Sequence, residues 1–386
     1  MTTPPPLVEL LNSKPLYYTK FDPNRIVEAF KLIKNGIKNP KRVHIIGTNG
    51  KGSTGRALAH LAHKSGLRVG HFTSPHILDF KERFWIDGRF ATKKELDSAH
   101  YKLYNLLGKE MAEALSYFEY QALLAFVLFE DFDLQVIEAG LGGEYDATSV
   151  VDYDLTIFTP IAFDHSDFLG DSIESIAKTK LSVMQNIAII AKQPHKEVLE
   201  IAKEIANKKN VELIEFDTNC YNRVKKALNK PYPNYLIENI TLSVMALNAL
   251  KIEHNLQELN SLNIFGRFYK LMPNVIIDVG HNPLAAKAIV KSLNKKVNLI
   301  FNILADKDYK EVLNILKPKI KKLLIIKIKT QRATDLQKIE SLLDELQIEY
   351  EYFNGKIDNK EDYLVFGSFY VVEEFLKIVG VREIGA

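Results

Sequence analysis

Gly47-Thr48-Asn49-Gly50-Lys51-Gly52-Ser53 is a glycine-rich heptapeptide set between a short apolar run and a helical pattern. The run ahead of it, Arg42-Val43-His44-Ile45-Ile46, is β-branched and reads as a buried strand. Behind it, Ala57, Leu58 and Leu61 recur at helical spacing from Thr54 to Lys64, and Gly66 stands as a C-terminal stop. Strand, glycine turn, helix is the geometry of a phosphate cradle. Glycines let the backbone approach an anion, and the N–H groups at the start of the helix bind it. Lys51 adds a point charge for β- and γ-phosphates, and a serine hydroxyl can orient Mg²⁺. The spacing departs from the usual pattern. Ile45 stands where the first glycine is expected, and Gly52 follows the lysine, so that Ser53 comes one residue late. The competing reading is an ordinary glycine turn ahead of a helix, which leaves Lys51 and Ser53 unexplained.

The chain has 386 residues, long for a single core, so two domains are expected. Hydrophobic content of 46% and charged content of 26% describe an ordinary globular protein. A net charge of +3 argues against a general nucleic-acid surface while leaving room for a local phosphate site. A lone cysteine, Cys220, excludes an intramolecular disulfide and suits a reducing compartment. The start of the chain shows no signal-peptide core, and Ile187–Ala191 is too short to span a bilayer. A cytoplasmic protein with no membrane or nucleic-acid partner is expected.

Strands alternate with helices through the first part of the chain. Strands are read at Arg68–Phe72, Leu134–Ile137, Leu155–Thr159 and Ile187–Ile190, with helices near 23–35, 93–107, 118–130 and 173–183. This alternation predicts a parallel, doubly wound sheet. The polar stretch from Lys251 to Asn260 reads as a hinge, dividing the chain into residues 1–260 and 261–386. A second α/β series then carries strands at Val275–Val279, Val297–Leu304, Leu323–Ile328 and Tyr363–Phe366. It is Rossmann-like but lacks the GxGxxG fingerprint.

Ligands gather at the carboxyl ends of parallel strands. Four polar clusters fall at such ends in the first domain: Gly47–Ser53, Ser74–His76, Glu138 and Asp164-His165. Glu138 closes an apolar strand, where a carboxylate suits Mg²⁺, although a carboxylate capping a turn is the alternative. Ser74 offers another oxygen, but Thr-Ser-Pro is equally a turn; His165 can ligate metal or simply be satisfied by neighbours. In the second domain a strand ends in Asp278, and His281 and Asn282 follow. Asn282 also reads as the N-cap of a helix whose first residue is Pro283. Asp306-Lys307-Asp308 reads by itself as a charged, solvated loop.

Together these clusters, with Glu138-Ala139-Gly140-Leu141-Gly142-Gly143 and Asp146-Ala147-Thr148, occur in one order that resembles a known family. The chain is similar to the dihydrofolate synthase/folylpolyglutamate synthase family, a branch of the Mur ligase superfamily. The resemblance runs from about residue 20 to Gly367-Ser368-Phe369. It implies a P-loop-type, doubly wound, mostly parallel α/β domain that binds ATP. A smaller Rossmann-like ligase domain follows, and the active site lies between the two. Carried over by position, Asn49, Gly50, Lys51, Gly52 and Ser53 would hold the triphosphate, and Ser74 and Glu138 would ligate one Mg²⁺. His165 and Glu138 would serve a second. Lys180 matches a lysine that is carbamylated in the family, with Lys178 a neighbouring competitor. Asn239 resembles an adenine contact; Arg267, His281 and Asn282 match residues that touch ATP phosphates, and Asp306 lies where nucleotide is contacted. Lys51, Lys180, Arg267 and His281 are thereby the catalytic candidates. Phe118, Asp146 and Ala147 resemble a pterin-side pocket. The chain departs from the pattern at Glu144, where a basic residue is usual, and at Asn302, where glycine is common.

The implied reaction is ATP-dependent ligation of L-glutamate to dihydropteroate or a reduced folate by a monomer. A peptidoglycan-precursor ligase is the nearest alternative, but that branch needs a further domain before Gly47. A P-loop kinase or NTPase is the rival from another class; it would leave Asp278–Pro283 without a purpose.

Overall fold

The computed structural model describes residues 4–15, 22–164 and 170–385. The chain forms two compact units. The first comprises Met1–Ser74, Lys81–Pro231 and Leu236–Leu262; the second comprises Pro75–Phe80, Tyr232–Tyr235 and Asn263–Ala386.

The first unit is built on eight strands: β1 (Lys41–Ile46), β2 (Val69–Phe72), β3 (Phe84–Ile86), β4 (Arg89–Phe90), β5 (Leu134–Glu138), β6 (Leu155–Phe158), β7 (Ile187–Ile190) and β8 (Glu212–Glu215). Their order is β4-β3-β2-β5-β1-β6-β7-β8. Central β1 lies parallel to β5 and β6, with Ile45 opposite Glu138 and Ile46 opposite Phe158. It is buried from Arg42 to Ile46, the continuous run expected of a strand covered on both faces. Ile46 and Phe158 pack with Ile176, Leu181 and Val198 from the helices Ile173–Leu181 and Lys196–Lys209. β3 and β4 form an antiparallel hairpin appended to β2, so the sheet is mostly rather than wholly parallel. Asp87 and Gly88, at φ 45° and 91°, make its two-residue turn. The helix expected at 93–107 runs to Ala114, with a break at Gly108 (φ 72°, ψ 162°).

The stretch expected as a hinge, Lys251–Asn260, belongs to the first unit. Leu256–Ser261 is a 3-10 helix within it. His60 of the helix Lys51–Lys64 reaches the Glu258 carbonyl at 2.9 Å and Ser261 Oγ at 3.1 Å.

The second unit carries β9 (Tyr269–Met272), β10 (Val275–Asp278), β11 (Val297–Phe301), β12 (Ile320–Ile325), β13 (Tyr350–Tyr352) and β14 (Tyr363–Phe366). Their order is β13-β12-β11-β14-β10-β9. β9 alone is antiparallel, against β10. Segment 75–80 belongs here because Ile77 is buried among Val275, Ile277, Val279 and Val365. Among the described residues no helix is long and apolar enough to cross a membrane.

Candidate active site

The phosphate loop leaves the carboxyl end of β1 and is tied to the end of β6. Thr48 N–H donates to the Pro160 carbonyl (2.9 Å); Thr48 Oγ1 donates to the Ala162 carbonyl (3.0 Å) and accepts from Ala162 N–H (3.1 Å). Gly47 approaches Thr159 so closely that a Cβ there would fall 1.9 Å from its Oγ1. Gly50 takes φ 93°, a left-handed conformation that glycine adopts without strain, and immediately precedes the helix Lys51–Lys64. A Cβ on Gly50 would lie 2.6 Å from Asn239 Oδ1, so the buried Asn239 sits directly against the loop. Gly50→Ala is therefore expected to lose about 1–3 kcal/mol of stability and to weaken nucleotide binding about tenfold. Urea unfolding and ADP titration read the two effects; an unaltered ADP affinity would show that the loop does not cradle phosphate.

Lys51 folds back over the loop, its Nζ 3.2 Å from the Gly47 carbonyl. Ser53 Oγ is buried without a hydrogen-bond partner among the described residues. A buried hydroxyl left unpaired costs about 1–3 kcal/mol, and here it stands in the first turn of the helix, where Mg²⁺-bound triphosphate would supply a partner.

Glu138 ends β5 beside the loop and is buried. Its Oε2 accepts from Thr73 Oγ1 and, at 3.4 Å, from Ser74 N–H. Thr73 is a contact that the sequence did not single out, although its place beside Ser74 offered the signal. Among the described residues no group of three or more His, Cys, Asp or Glu side chains is placed to hold a metal alone. Mg²⁺ prefers one or two carboxylates completed by water and substrate phosphates, and Glu138 offers one such carboxylate. His165 lies outside the described residues.

Lys180 is buried on the helix Ile173–Leu181, whereas Lys178 on the same helix is exposed. Lys180 Nζ lies 3.3 Å from the Gly47 carbonyl. Burial pushes its ammonium down to about 7 and the charge of Lys51 pushes the same way, with Asp164 and Asp146 opposing. Gly143 packs on that helix, where a Cβ would lie 2.7 Å from the Thr179 carbonyl.

Phe118 sits over Gly140, where a Cβ would meet its ring at 2.5 Å, with its ring centroid 5.9 Å from that of Phe72. Asp146 is turned into its own loop. It accepts from Leu141 N–H (2.7 Å), Thr148 N–H (2.9 Å) and Thr148 Oγ1 (2.6 Å). Its carboxylate thus closes the loop 140–148, with the buried Ala147 beside it. Burial raises the Asp146 carboxyl, while those donors favour its ionised form.

In the second unit Asp278 is likewise directed at the protein. It accepts from Phe268 N–H (2.8 Å), Gly280 N–H (2.7 Å) and Tyr235 Oη (2.9 Å). Burial raises it and Arg267 pulls it down. Asp278 thus fastens Phe268 and Gly280 to the end of β10. Tyr235, 43 residues away, gave no sequence signal. Arg267 stacks over Phe369 at 5.1 Å and donates to the Gly266 carbonyl. His281 Nδ1 lies 3.1 Å from the Val279 carbonyl, and Asn282 Oδ1 caps the helix Pro283–Ser292 at Ala285 N–H (2.9 Å). Asp306 pairs with Arg332 at 2.9 Å, and Asp308 caps the helix Tyr309–Leu316.

Residues 45–234 match the family model of the Mur ligase middle domain, and residues 266–362 match that of the Mur ligase glutamate ligase domain. A curated relative from Buchnera aphidicola subsp. Schizaphis graminum, named dihydrofolate synthase/folylpolyglutamate synthase, is 30% identical over 94% of this chain and 95% of its own. The chain belongs to the dihydrofolate synthase/folylpolyglutamate synthase family. The ligase is similar in fold to a solved Helicobacter pylori folylpolyglutamate synthetase, at 39% identity and TM-score 0.77, covering 97% of each chain. A bifunctional folylpolyglutamate synthase/dihydrofolate synthase solved with Mn, AMPPNP and L-glutamate is 25% identical, with TM-score 0.83, over 98% of this chain and all of that one. The family resemblance, the two α/β folds and an ATP-dependent ligase activity are all borne out by these matches.

Proposed function

We propose that this ligase joins the amine of L-glutamate to the carboxylate of a pterin or folate through an acyl phosphate. The supporting observation is the convergence at the carboxyl ends of β1, β2 and β5. There the phosphate loop, Glu138 with its Thr73 and Ser74 donors, and buried Lys180 adjoin one another. A carboxylate oxygen of the acceptor attacks the γ-phosphorus and the bond to ADP breaks. The glutamate amine then attacks the acyl carbon, loses a proton, and phosphate leaves. Such phosphoryl transfer needs positioning and charge neutralisation more than a protein nucleophile. Lys51, the loop N–H groups and Ser53 hold and orient the triphosphate, with Asn49, Gly50 and Gly52 forming its walls and Asn239 fixing the nucleotide's other end. Glu138 and Ser74 would hold one Mg²⁺, and Glu138 and His165 a second, which draw charge from the phosphates when bound.

Lys180 deepens this reading. With its amine pushed down to about 7, a large neutral fraction is available near neutral pH to attack CO₂, forming the carbamate and releasing a proton. The resulting anion beside Lys51 replaces a repulsion by an attraction. Arg267, His281, Asn282 and Asp306 are assigned to the nucleotide, and Phe118, Asp146 and Ala147 to the pterin side. The protein is placed in the cytoplasm as a monomer.

The test is release of ADP with dihydropteroate, L-glutamate and Mg²⁺, repeated with a reduced folate. ADP formed equally well without either acceptor counts against the ligase reading. Arg267→Ala is expected to lower kcat by about 10²-fold, the size of effect seen when one donor to developing charge is removed. Unchanged turnover in that variant would remove Arg267 from the reaction.

A further inference from the structure

Phe118 is the second residue of the helix Tyr117–Leu128, and its ring is only half-buried. A Cβ on Gly140 would meet that ring at 2.5 Å, so ring and backbone are already in contact. Where the ring stands is therefore set by where this helix begins. Two residues, Leu115 and Ser116, join it to the preceding helix Lys93–Ala114.

That joint is fastened from the amino-terminal segment. Lys14 Nζ donates to the Ala112 carbonyl and to the Leu115 carbonyl (2.8 Å), with the Glu113 carbonyl at 3.5 Å. The Ala112 and Glu113 carbonyls are among those a helix leaves unpaired at its C-terminus, where a cation is favoured. Lys14 is buried, and its ammonium lies over the Tyr120 ring, 5.0 Å from the centroid. Burial lowers it to about 8, with Glu119 and Glu113 opposing, so it remains charged at neutral pH. Tyr120 is held in turn. His100 Nε2 donates to the Pro5 carbonyl (2.7 Å), which leaves Nδ1 to accept from Tyr120 Oη (2.7 Å).

The residues on either side of Phe118 are tied to the same part of the chain. Tyr117 N–H donates to the Pro15 carbonyl (3.4 Å), and Glu119 accepts from Arg25 Nε (3.0 Å). Ser116 and Glu119 cap the helix reciprocally, which fixes its first turn internally but not its place on the sheet. Lys14 supplies that placement, because it touches the end of one helix, the joint, and a ring of the next. We propose that Lys14 is a positioning residue for the acceptor: by fastening this joint it sets where Phe118 stands, and with it how tightly the pterin or folate is held. This rests on the reading of Phe118 as part of the acceptor wall. Its contribution should fall on acceptor binding, not on nucleotide binding or the chemical step.

The test uses the full chain labelled with para-fluorophenylalanine, the Phe118 ¹⁹F resonance being identified by its loss in Phe118→Leu. Lys14→Met, which keeps the stem and removes the donors, should move that resonance. It should also raise the KM for dihydropteroate or a reduced folate about tenfold, the fold-change of one lost charge-assisted hydrogen bond. The KM for ATP and kcat at saturating acceptor should not change. Lys14→Arg keeps a cationic donor and should stay within about threefold of the parent acceptor KM. If Lys14→Met does not fold, Lys14→Gln takes its place. An unmoved resonance, or a lower kcat with the acceptor KM unaltered, overturns the proposal; the second result is what a purely structural lysine would give. The resonance is read without turnover. Absence of ADP release in the parent chain would therefore sink the ligase reading alone, whereas an unmoved resonance sinks only this one.

Discussion

Lys180→Leu should lower kcat by about 10²–10³-fold while leaving the fold as stable as before or more so. The two effects have one cause. An ammonium that is buried and set near Lys51 has its pKa lowered from 10.5 to about 7, so the unfolded chain binds that proton more readily than the native one. The native state therefore carries the full cost below pH 7, and the cost fades as pH rises from about 7 towards 10.5. A depression of this size corresponds to a few kcal/mol. In CO₂-free buffer, thermal unfolding of the parent chain should show stability rising across that window, and Lys180→Leu should lack the slope. Leucine also fills much of the stem's volume, which favours recovery of folded protein. Adding bicarbonate should raise turnover of the parent chain and do nothing for the variant. A variant that retains turnover, or a parent chain indifferent to bicarbonate, would remove Lys180 from the chemistry. A parallel pH slope in both proteins would mean that another group carries it.

How far the sequence was readable depends on whether a feature is local. The run Arg42–Ile46 and the glycine turn after it sit next to one another in the chain, and they fold as read: strand β1, loop, helix Lys51–Lys64. Asn282 as the cap and Pro283 as the first turn of their helix were equally local and hold. Short edge strands were lost. β4 has two residues and β13 three, too few for a period-2 pattern to register, although Asp87-Gly88 carried the turn signal for the hairpin. Long-range partnerships were invisible. Nothing near residue 77 says that Ile77 is buried with Val275 and Val365, nor near residue 235 that Tyr235 donates to Asp278.

The candidate site divides in the same way. Lys51, Glu138 and Ser74 could be placed at strand ends from the sequence alone, whereas the backbone partners of Asp146 and Asp278 could not. A carboxylate at a strand end or in a glycine-rich loop has two employers, the substrate and the backbone N–H groups beside it. In both residues the local N–H groups take the oxygens. Which N–H groups lie beside a carboxylate once the chain has folded is not written in a single sequence.

Glu138→Gln is the sharper trial of the metal reading because it changes charge and almost nothing else. Glutamine keeps the shape at the end of β5 and an acceptor oxygen for Thr73 Oγ1 and Ser74 N–H. Removal of the buried negative charge should therefore spare the fold, and unfolding midpoints should stay within about 1 kcal/mol of the parent chain. The neutral amide is a far poorer partner for a hard divalent cation than a carboxylate. At saturating ATP the Mg²⁺ concentration giving half-maximal ADP release should rise at least tenfold, and kcat at the highest Mg²⁺ should remain about 10²-fold low. The split between these numbers carries the information. A structural residue would lower kcat without moving the Mg²⁺ titration, and a pure metal anchor would be rescued by excess Mg²⁺. Loss of kcat that excess Mg²⁺ does not restore, together with a displaced titration, places Glu138 on the metal during phosphoryl transfer. If Glu138→Gln titrates with Mg²⁺ as the parent chain does, the metal is held elsewhere, and the carboxylate merely fastens the segment 73–74 to the sheet.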